Sequence, residues 1–323
     1  MPTINQTFKN AWNTNRWLTA LIAFSALWLL VSLMGLTIDH RLINGEHGWV
    51  KPIKFSMSLG IYGMTLIWLS KFLTEQKATF ERVSIAALIG TIAELVTITI
   101  QAARGTASHF NTGTPFDHAM FWLAAISILP VAFGTIAIFF MLLRQRDLPP
   151  VLGLSLKWGV FLTIIGCIPG VLMLLPSTAQ EFLSHSRQVT GHAVGLAQSS
   201  SHGLPLIGWS TVAGDLRVAH FVGIHALQLL PIVAYAVPRL LGRISVKRQE
   251  WLVNNVGLTY FFAIALLTHQ ALIAEPLTAP SHHTVAYALL LACISGLAAV
   301  YTVLLPERRE RLDHSGLSIN AGP

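Results

Sequence analysis

Long apolar runs separated by short polar stretches fill most of the chain. Eight of them approach the roughly 20 mainly apolar residues that a helix needs to cross a hydrocarbon core: 17–37, 53–73, 83–103, 119–143, 155–175, 217–238, 251–274 and 284–305. The runs are continuously apolar rather than alternating at period two, so they predict helices and not barrel strands. Pro130, Pro169 and Pro231 fall inside them, which membrane helices tolerate when neighbours satisfy the freed backbone groups. The expected fold is an all-α polytopic transmembrane bundle of about eight spans over 17–305. A segment 1–16 precedes it and a tail 306–323 follows.

Composition agrees with a bilayer as solvent. The 323 residues are 53% hydrophobic and 11% charged, with mean hydropathy +0.61. Soluble domains carry about 25% charged residues, so too little charge is present to coat a globule. A net charge of +7 would fit nucleic acid if it formed a patch, but the cations are scattered between apolar runs. Their distribution reads as topology instead. With both termini on one side, that side receives 15 of the 21 lysines and arginines, and the other only Arg41, Lys51, Lys54, Arg104, Arg187 and Arg217. The positive-inside bias therefore predicts cytoplasmic termini. Trp17, Trp68, Trp158 and Trp251 mark the inner interface, and Trp49 and Trp122 the outer. No cleavable leader is expected, because the first run follows a polar stretch and opens a series.

Histidine follows the same division. Twelve of the 13 histidines lie in predicted outer loops or outer helix halves; the exception is His314. Outer loops account for His40, His47, His109, His118, His185, His192, His202, His282 and His283, but not for His220, His225 and His269, which sit where a bilayer penalises polar groups.

The third run holds Gly90, Glu94, Thr97, Gln101 and Arg104 at helical spacing, a polar stripe leading outward. Glu94 lies roughly 14 Å below the outer end at 1.5 Å per residue. An ionisable group there costs about 2.5–3.5 kcal/mol on insertion scales and normally faces a partner or a wet cavity. Glu94, Gln101 and Arg104 are thus candidate catalytic residues, against the plainer reading of polar glue between helices.

The sixth run contributes Arg217, His220, His225 and Gln228, and the seventh His269 and Gln270. The spacing of His220 and His225 is not the i, i+4 pair that chelates one zinc. Each could give one ligand to a haem b or divalent metal completed by other helices. His220, His225, His269, Lys54 and Arg217 are the candidate cofactor-binding set, and His109, His220, His225 and His269 the candidate metal ligands. Lys51 and Lys54 could clamp an anion, a haem propionate or an acidic substrate, although snorkelling is the ordinary reading of such lysines.

Helices 1–4 and 5–8 share an orientation, which points to two parallel repeats, 17–143 and 155–305. Arg16-Trp17 matches Lys157-Trp158, and Gly48-Trp49 matches Gly208-Trp209. Lys54 with Gly60-Ile61 matches Arg217 with Gly223-Ile224, and Gln101-Ala102 matches Gln270-Ala271. Parallel repeats place a binding site between the halves.

The stretch Gly203-Leu204-Pro205, Gly208-Trp209-Ser210, Gly214-Asp215-Leu216-Arg217-Val218-Ala219-His220-Phe221 and His225-Ala226-Leu227-Gln228, with Gln101-Ala102-Ala103-Arg104-Gly105 and Ser108-His109-Phe110-Asn111, resembles a bacterial family of uncharacterised polytopic integral membrane proteins. The resemblance spans most of the membrane region and implies a bacterial cytoplasmic (inner) membrane location. It brings no activity with it.

Several chemistries are excluded. There is no P-loop, Rossmann glycine pattern or nucleophile elbow. Cys167 and Cys293 stand alone, so CxxCH haem attachment and CxxC metal sites are absent. Three classes remain. The first is a haem- or metal-dependent membrane oxidoreductase with an outward histidine-rich site. The second is a proton-coupled carrier of a small molecule or ion with Glu94 as its proton site. The third is a pH sensor or assembly subunit. In any of the three classes the chain could work as a homo-oligomer or with a membrane partner.

Overall fold

The computed structural model describes residues 3–174, 191–195, 203–205 and 207–304; the tail 306–323 and His185, His202 and His314 lie outside them. Described residues form an all-α bundle. Its helices are α1 (Ile4–Thr14), α2 (Arg16–Ile38), α3 (Val50–Leu69), α4 (Lys77–Arg104), α5 (Pro115–Ser127), α6 (Leu129–Arg144), α7 (Pro150–Leu172), α8 (Leu216–Ile224), α9 (Ala226–Leu240), α10 (Val246–Leu272) and α11 (His282–Leu304). Two antiparallel two-stranded ribbons decorate the loops: β1 (Leu42–Ile43) with β2 (Glu46–His47), and β3 (Ala193–Val194) with β4 (Gly214–Asp215).

Six helical stretches are long and apolar enough to cross a membrane, with α5 and α6 together counted as one. The pair α8 and α9, bent by 48°, makes a seventh. The 20-residue α3, which carries Lys51 and Lys54, completes the eight expected segments.

One end of the bundle is closed by the short connections α3–α4, α6–α7 and α9–α10, and carries α1. The other, broad end carries the longer α2–α3, α4–α5, α7–α8 and α10–α11 connections. The interior differs between the two. The principal apolar core runs through the short-turn half: Leu18 and Leu21 of α2, Leu66 and Leu69 of α3, Phe80, Val83 and Ala87 of α4, and Met141, Leu142 and Leu156 beyond. The buried charged side chains among the described residues, Glu94, Asp117 and Asp215, all lie in the broad half.

The bend at His225 has an identifiable cause. Thr163 of α7 inserts its hydroxyl into the helical ladder, accepting from the Leu227 amide at 3.2 Å and lying 3.4 Å from the Ile224 carbonyl. A side chain that takes over ladder hydrogen bonds is a standard origin of sharp kinks. It reaches the ladder because the two backbones nearly touch: a Cβ on Gly166 would lie 2.5 Å from Gly223 Cα. The α2–α3 crossing is looser, with Gly60 facing Ser25 and room for a methyl group at 3.4 Å.

Helices α4 and α10 end alike. Gly105 and Ala274 take left-handed conformations (φ 72 and 61). In both, the next amide returns to the carbonyl five residues earlier, Thr106 to Gln101 at 3.0 Å and Glu275 to Gln270 at 3.1 Å. This is the Schellman closure, which satisfies otherwise orphaned carbonyls.

Because backbone occupies the space beside Gly223, Gly223→Leu is expected to part α7 from α8 at a cost of about 3 kcal/mol or more. Gly296, with nothing within 4 Å, should accept leucine freely. Thermal unfolding of the two detergent-solubilised variants checks this; equal melting temperatures would contradict it.

Candidate functional site

The stripe predicted on α4 exists and faces inward: Gly90, Glu94, Thr97 and Gln101 are buried. Gly90 sits where the chain breaks between α5 and α6, and a Cβ there would come within 2.4 Å of the Ser127 carbonyl. The missing side chain lets Ser127 approach, and its hydroxyl lies 2.5 Å from Glu94 Oε2. The same hydroxyl is 2.9 Å from the Ala124 carbonyl. It has one proton to give. With Glu94 ionised, Ser127 donates to the carboxylate; with Glu94 protonated, the carboxyl donates to Ser127, whose proton turns to Ala124. Both protonation states are therefore satisfied without moving a heavy atom.

His109 approaches from the α4–α5 loop, with Nε2 3.7 Å from Glu94 Oε1 and Nδ1 3.1 Å from the Ser108 hydroxyl. Phe110 beside it has φ 58, a conformation that costs a side-chain-bearing residue about 1–2 kcal/mol. That strained turn places the Phe110 ring against Phe121, His109 and His192, with centroids 5.7, 6.2 and 6.5 Å away. On the other side, Phe55 lies 6.2 Å from the His109 ring, and Lys51 Nζ 5.8 Å from the Phe55 ring. The site thus gathers Glu94, His109, Ser127 and Lys51, walled by Phe55 and Phe110.

Gln101 and Arg104 belong to a neighbouring cluster. Gln101 Nε2 donates to Asp117 Oδ1 at 2.9 Å and Arg104 Nη1 to the same oxygen at 2.5 Å. Thr114 donates to Asp117 Oδ2 at 2.7 Å, and the Arg104 guanidinium lies 4.4 Å over the Phe116 ring. These contacts tie the end of α4 to the start of α5.

The remaining candidates stand elsewhere. His220 Nδ1 meets the Gly166 carbonyl at 2.7 Å, and His225 Nδ1 the Phe221 carbonyl at 2.8 Å. His269 is exposed. No hydrogen bond or ion pair among the described residues joins these three to Glu94 or to one another. Lys54 donates to Glu46 at 2.7 Å and to the Ile207 carbonyl at 3.1 Å. Arg217 binds Asp215 at 2.7 Å and the Gly208 carbonyl. These two cations fasten one loop, 207–208, to α3 and α8. Among the described residues no group of three or more His, Cys, Asp or Glu side chains gathers at metal-binding range.

No protein-family model matches the chain, and neither does any curated protein or solved structure. What the fold by itself establishes is a polytopic membrane helix bundle.

The sequence singles out Glu94 and His109 and leaves Lys51 as either a snorkelling anchor or an anion clamp, while Ser127 carries no signal of its own. Asp117 had a readable signal: Thr114-Pro115-Phe116-Asp117 is an N-cap box, with Thr114 accepting from the Asp117 amide at 3.1 Å.

The loop electrostatics are sharp. Burial, with Lys51 and His192 nearby, holds the His109 imidazole well below its usual range. Burial, with Arg217, brings His192 down to about 3. Burial alone would raise Asp215, but the Arg217 hydrogen bonds override it and the carboxyl stays ionised. For both histidines the folded value lies below the unfolded one, near 6.5. Below that pH the unfolded chain binds protons that the folded chain refuses, so stability is present above about pH 6.5 and lost as pH falls. Melting temperature is expected to drop from pH 7 to pH 5, and to drop less in His109→Gln; an unchanged slope in that variant would remove His109 from the account.

Proposed function

We propose that the protein is a proton-coupled membrane carrier with Glu94 as its protonation site, reached from the broad end. The observation that carries this reading is the Glu94 carboxyl, 1% exposed, held by a serine hydroxyl that serves either protonation state and approached by His109. A fixed ionised carboxylate with no titration role would be costly at this depth. A carboxyl that exchanges its proton as the site opens and closes avoids most of that cost. The apolar core of the short-turn half forms the closed gate on the other side.

Orientation in this reading comes from the lysines and arginines, whose excess at the short-turn end makes that end cytoplasmic. The broad end then faces outward, in the inner membrane of a bacterial cell. The parallel 4+4 repeat is part of the same proposal. Extending the two sequence matches, Trp17 with Trp158 and Gly60 with Gly223, makes Ser25 the counterpart of Gly166. Ser25 faces Gly60 across α2 and α3 as Gly166 faces Gly223 across α7 and α8, the first pair in ordinary contact and the second far tighter. The matched closures of α4 and α10 support it independently, as does the Gln side chain that in each reaches the carbonyl six residues on, Gln101 to Ala107 at 3.5 Å and Gln270 to Pro276 at 3.1 Å. Two parallel units of this kind can rock against one another around a site between them.

A second reading keeps one specific observation in its favour. His220 and His225 both spend Nδ1 on backbone carbonyls, which leaves Nε2 open, the state in which imidazole ligates haem b or a divalent metal. Lys54 and Arg217 would have to leave their present partners to hold propionates. A Soret band or stoichiometric metal in the purified protein, lost in His220→Gln, would favour this redox reading over the carrier.

For the carrier, infrared difference spectra of the reconstituted protein between pH 8 and pH 5 are expected to contain a protonated-carboxyl band that Glu94→Gln removes. If the band persists in Glu94→Gln, or is missing from the unsubstituted protein, Glu94 does not exchange protons and the reading fails.

A further inference from the structure

Resting on the assignment of Glu94, we propose that the co-transported ligand is a small monoanion of the carboxylate class, bound at Lys51 and taken up together with the proton. Among the described residues, the arginines and lysines of the broad end are accounted for with one exception. Arg41 pairs with Asp39 at 2.7 Å, Lys54 with Glu46 at 2.7 Å, Arg104 with Asp117 at 2.5 Å and Arg217 with Asp215 at 2.7 Å. Lys51 has no ion pair or hydrogen bond to any described residue. Its ammonium faces the Phe55 ring, which stands against His109, which in turn reaches Glu94. Glu94 and, less strongly, Glu46 are the carboxylates whose field acts on Lys51.

Charge balance then couples the two sites. While Glu94 is ionised it neutralises the Lys51 neighbourhood at a distance, and an entering anion meets a site of no net charge. Once Glu94 takes a proton, one positive charge is left in a half-buried place walled by Phe55 and Phe110, and a monoanion restores neutrality. Proton and anion favour each other's binding, and by linkage the effect is reciprocal. The imidazole of His109 stays neutral and offers a hydrogen bond rather than a second charge. That limits the site to a single negative charge, and the aromatic walls suit a ligand with an apolar part. Nothing covalent happens: one proton and one anion bind, and the pair leaves as a neutral sum.

The test uses the full chain in detergent, with lactate, nitrate and phosphate as probes, following anion binding by calorimetry and proton uptake with a pH indicator. Lactate is expected to bind and to draw up to one proton per chain. Lys51→Gln should weaken lactate binding at least tenfold. Glu94→Gln should keep or strengthen binding while abolishing proton uptake. Lactate binding that ignores Lys51, or binding to none of the probes, overturns the anion site. Lys51-dependent binding with no proton uptake overturns the coupling. Failure of the Glu94 carboxyl to titrate at all is seen separately in the infrared experiment, so the two failures are distinguishable.

An unrelated observation carries a second inference. Helix α1 is closed at its start by a reciprocal cap between Thr3 and Gln6 and ends one residue before α2. Phe8 and Trp12, one turn apart, are 48% and 47% exposed, and their rings stack at 6.1 Å. Asn10, Asn13 and Thr14 occupy other faces. A helix joined directly to a membrane span, with an aromatic stripe and Lys9 beside it, fits the headgroup and acyl boundary of the adjoining leaflet. We infer that α1 lies in that boundary with lipid covering Phe8 and Trp12. Nitroxides at Phe8→Cys, Asn10→Cys and Trp12→Cys, in a background with Cys167 and Cys293 replaced by serine and reconstituted in vesicles, would be probed with oxygen and a water-soluble nickel chelate. Positions 8 and 12 are expected to favour oxygen and position 10 nickel. Equal nickel access at all three overturns the inference.

Discussion

A carboxyl buried among helices in a membrane protein is the constraint around which the broad half is arranged. Glu94 cannot sit against lipid, so α4 must turn its stripe inward, and something must satisfy both oxygens. Each neighbouring feature answers that demand. Gly90 lacks a side chain so that the α5–α6 break can come close. Pro130, two residues beyond the break residue Ile128, has no amide to lose there. Ser127, freed at the end of α5, turns its hydroxyl to Glu94. The strained Phe110 holds His109 over the other oxygen.

The division of the interior follows from the same requirement. Charged groups buried in the broad half, each with a cation or hydroxyl beside it, leave the short-turn half to carry the cohesion of the bundle. Aliphatic and aromatic side chains from α2, α3, α4, α6, α7, α9 and α10 form a single cluster there. Serines and threonines in that half mostly return their hydroxyls to carbonyls of their own helix, as Ser84 does to Phe80 at 2.8 Å. Towards mid-bundle the pattern loosens. Ser25, Ser56 and Thr91 are buried and their hydroxyls have no partner among the described residues. Three unsatisfied hydroxyls near the boundary between a polar and a dry half are where bound water would be favoured, since each orphan costs about 1–3 kcal/mol.

Much of this was legible in the residues alone, for reasons that can be named. The spans could be read because each depends only on local apolar length, and the stripe on α4 because helical spacing fixes which residues share a face. Breaks and bends were not legible. The fourth run reads as one span but is two helices, and the sixth bends at His225 because Thr163, some sixty residues earlier, enters its ladder. No window of sequence contains that interaction. The histidines are illegible for a related reason: similar depth in separate helices fixes only one coordinate, and rotation about each helix axis sends His220 to the Gly166 carbonyl and leaves His269 exposed.

Lys51 shows what a sequence conceals about charge. Lys51 and Lys54 are three residues apart on one helix and look interchangeable. Three residues on a helix is about 300° of rotation, within 60° of a full turn, so the two share a face and only their partners tell them apart. Lys54 meets Glu46 and the Ile207 carbonyl, and its charge is used in holding a loop. Lys51 turns to the Phe55 ring, which stands against His109 on the Glu94 side of the bundle. A cation whose counter-charge is itself titratable has an electrostatic environment that depends on one proton. Glu94 is buried and Lys51 half-buried, so that dependence is stronger than it would be between two charges in bulk water. In the proposed carrier Glu94 and Lys51 act as one unit, and its two neutral forms, the two opposite but separated charges and the protonated carboxyl with a bound anion, are the states between which a carrier of this design would cycle.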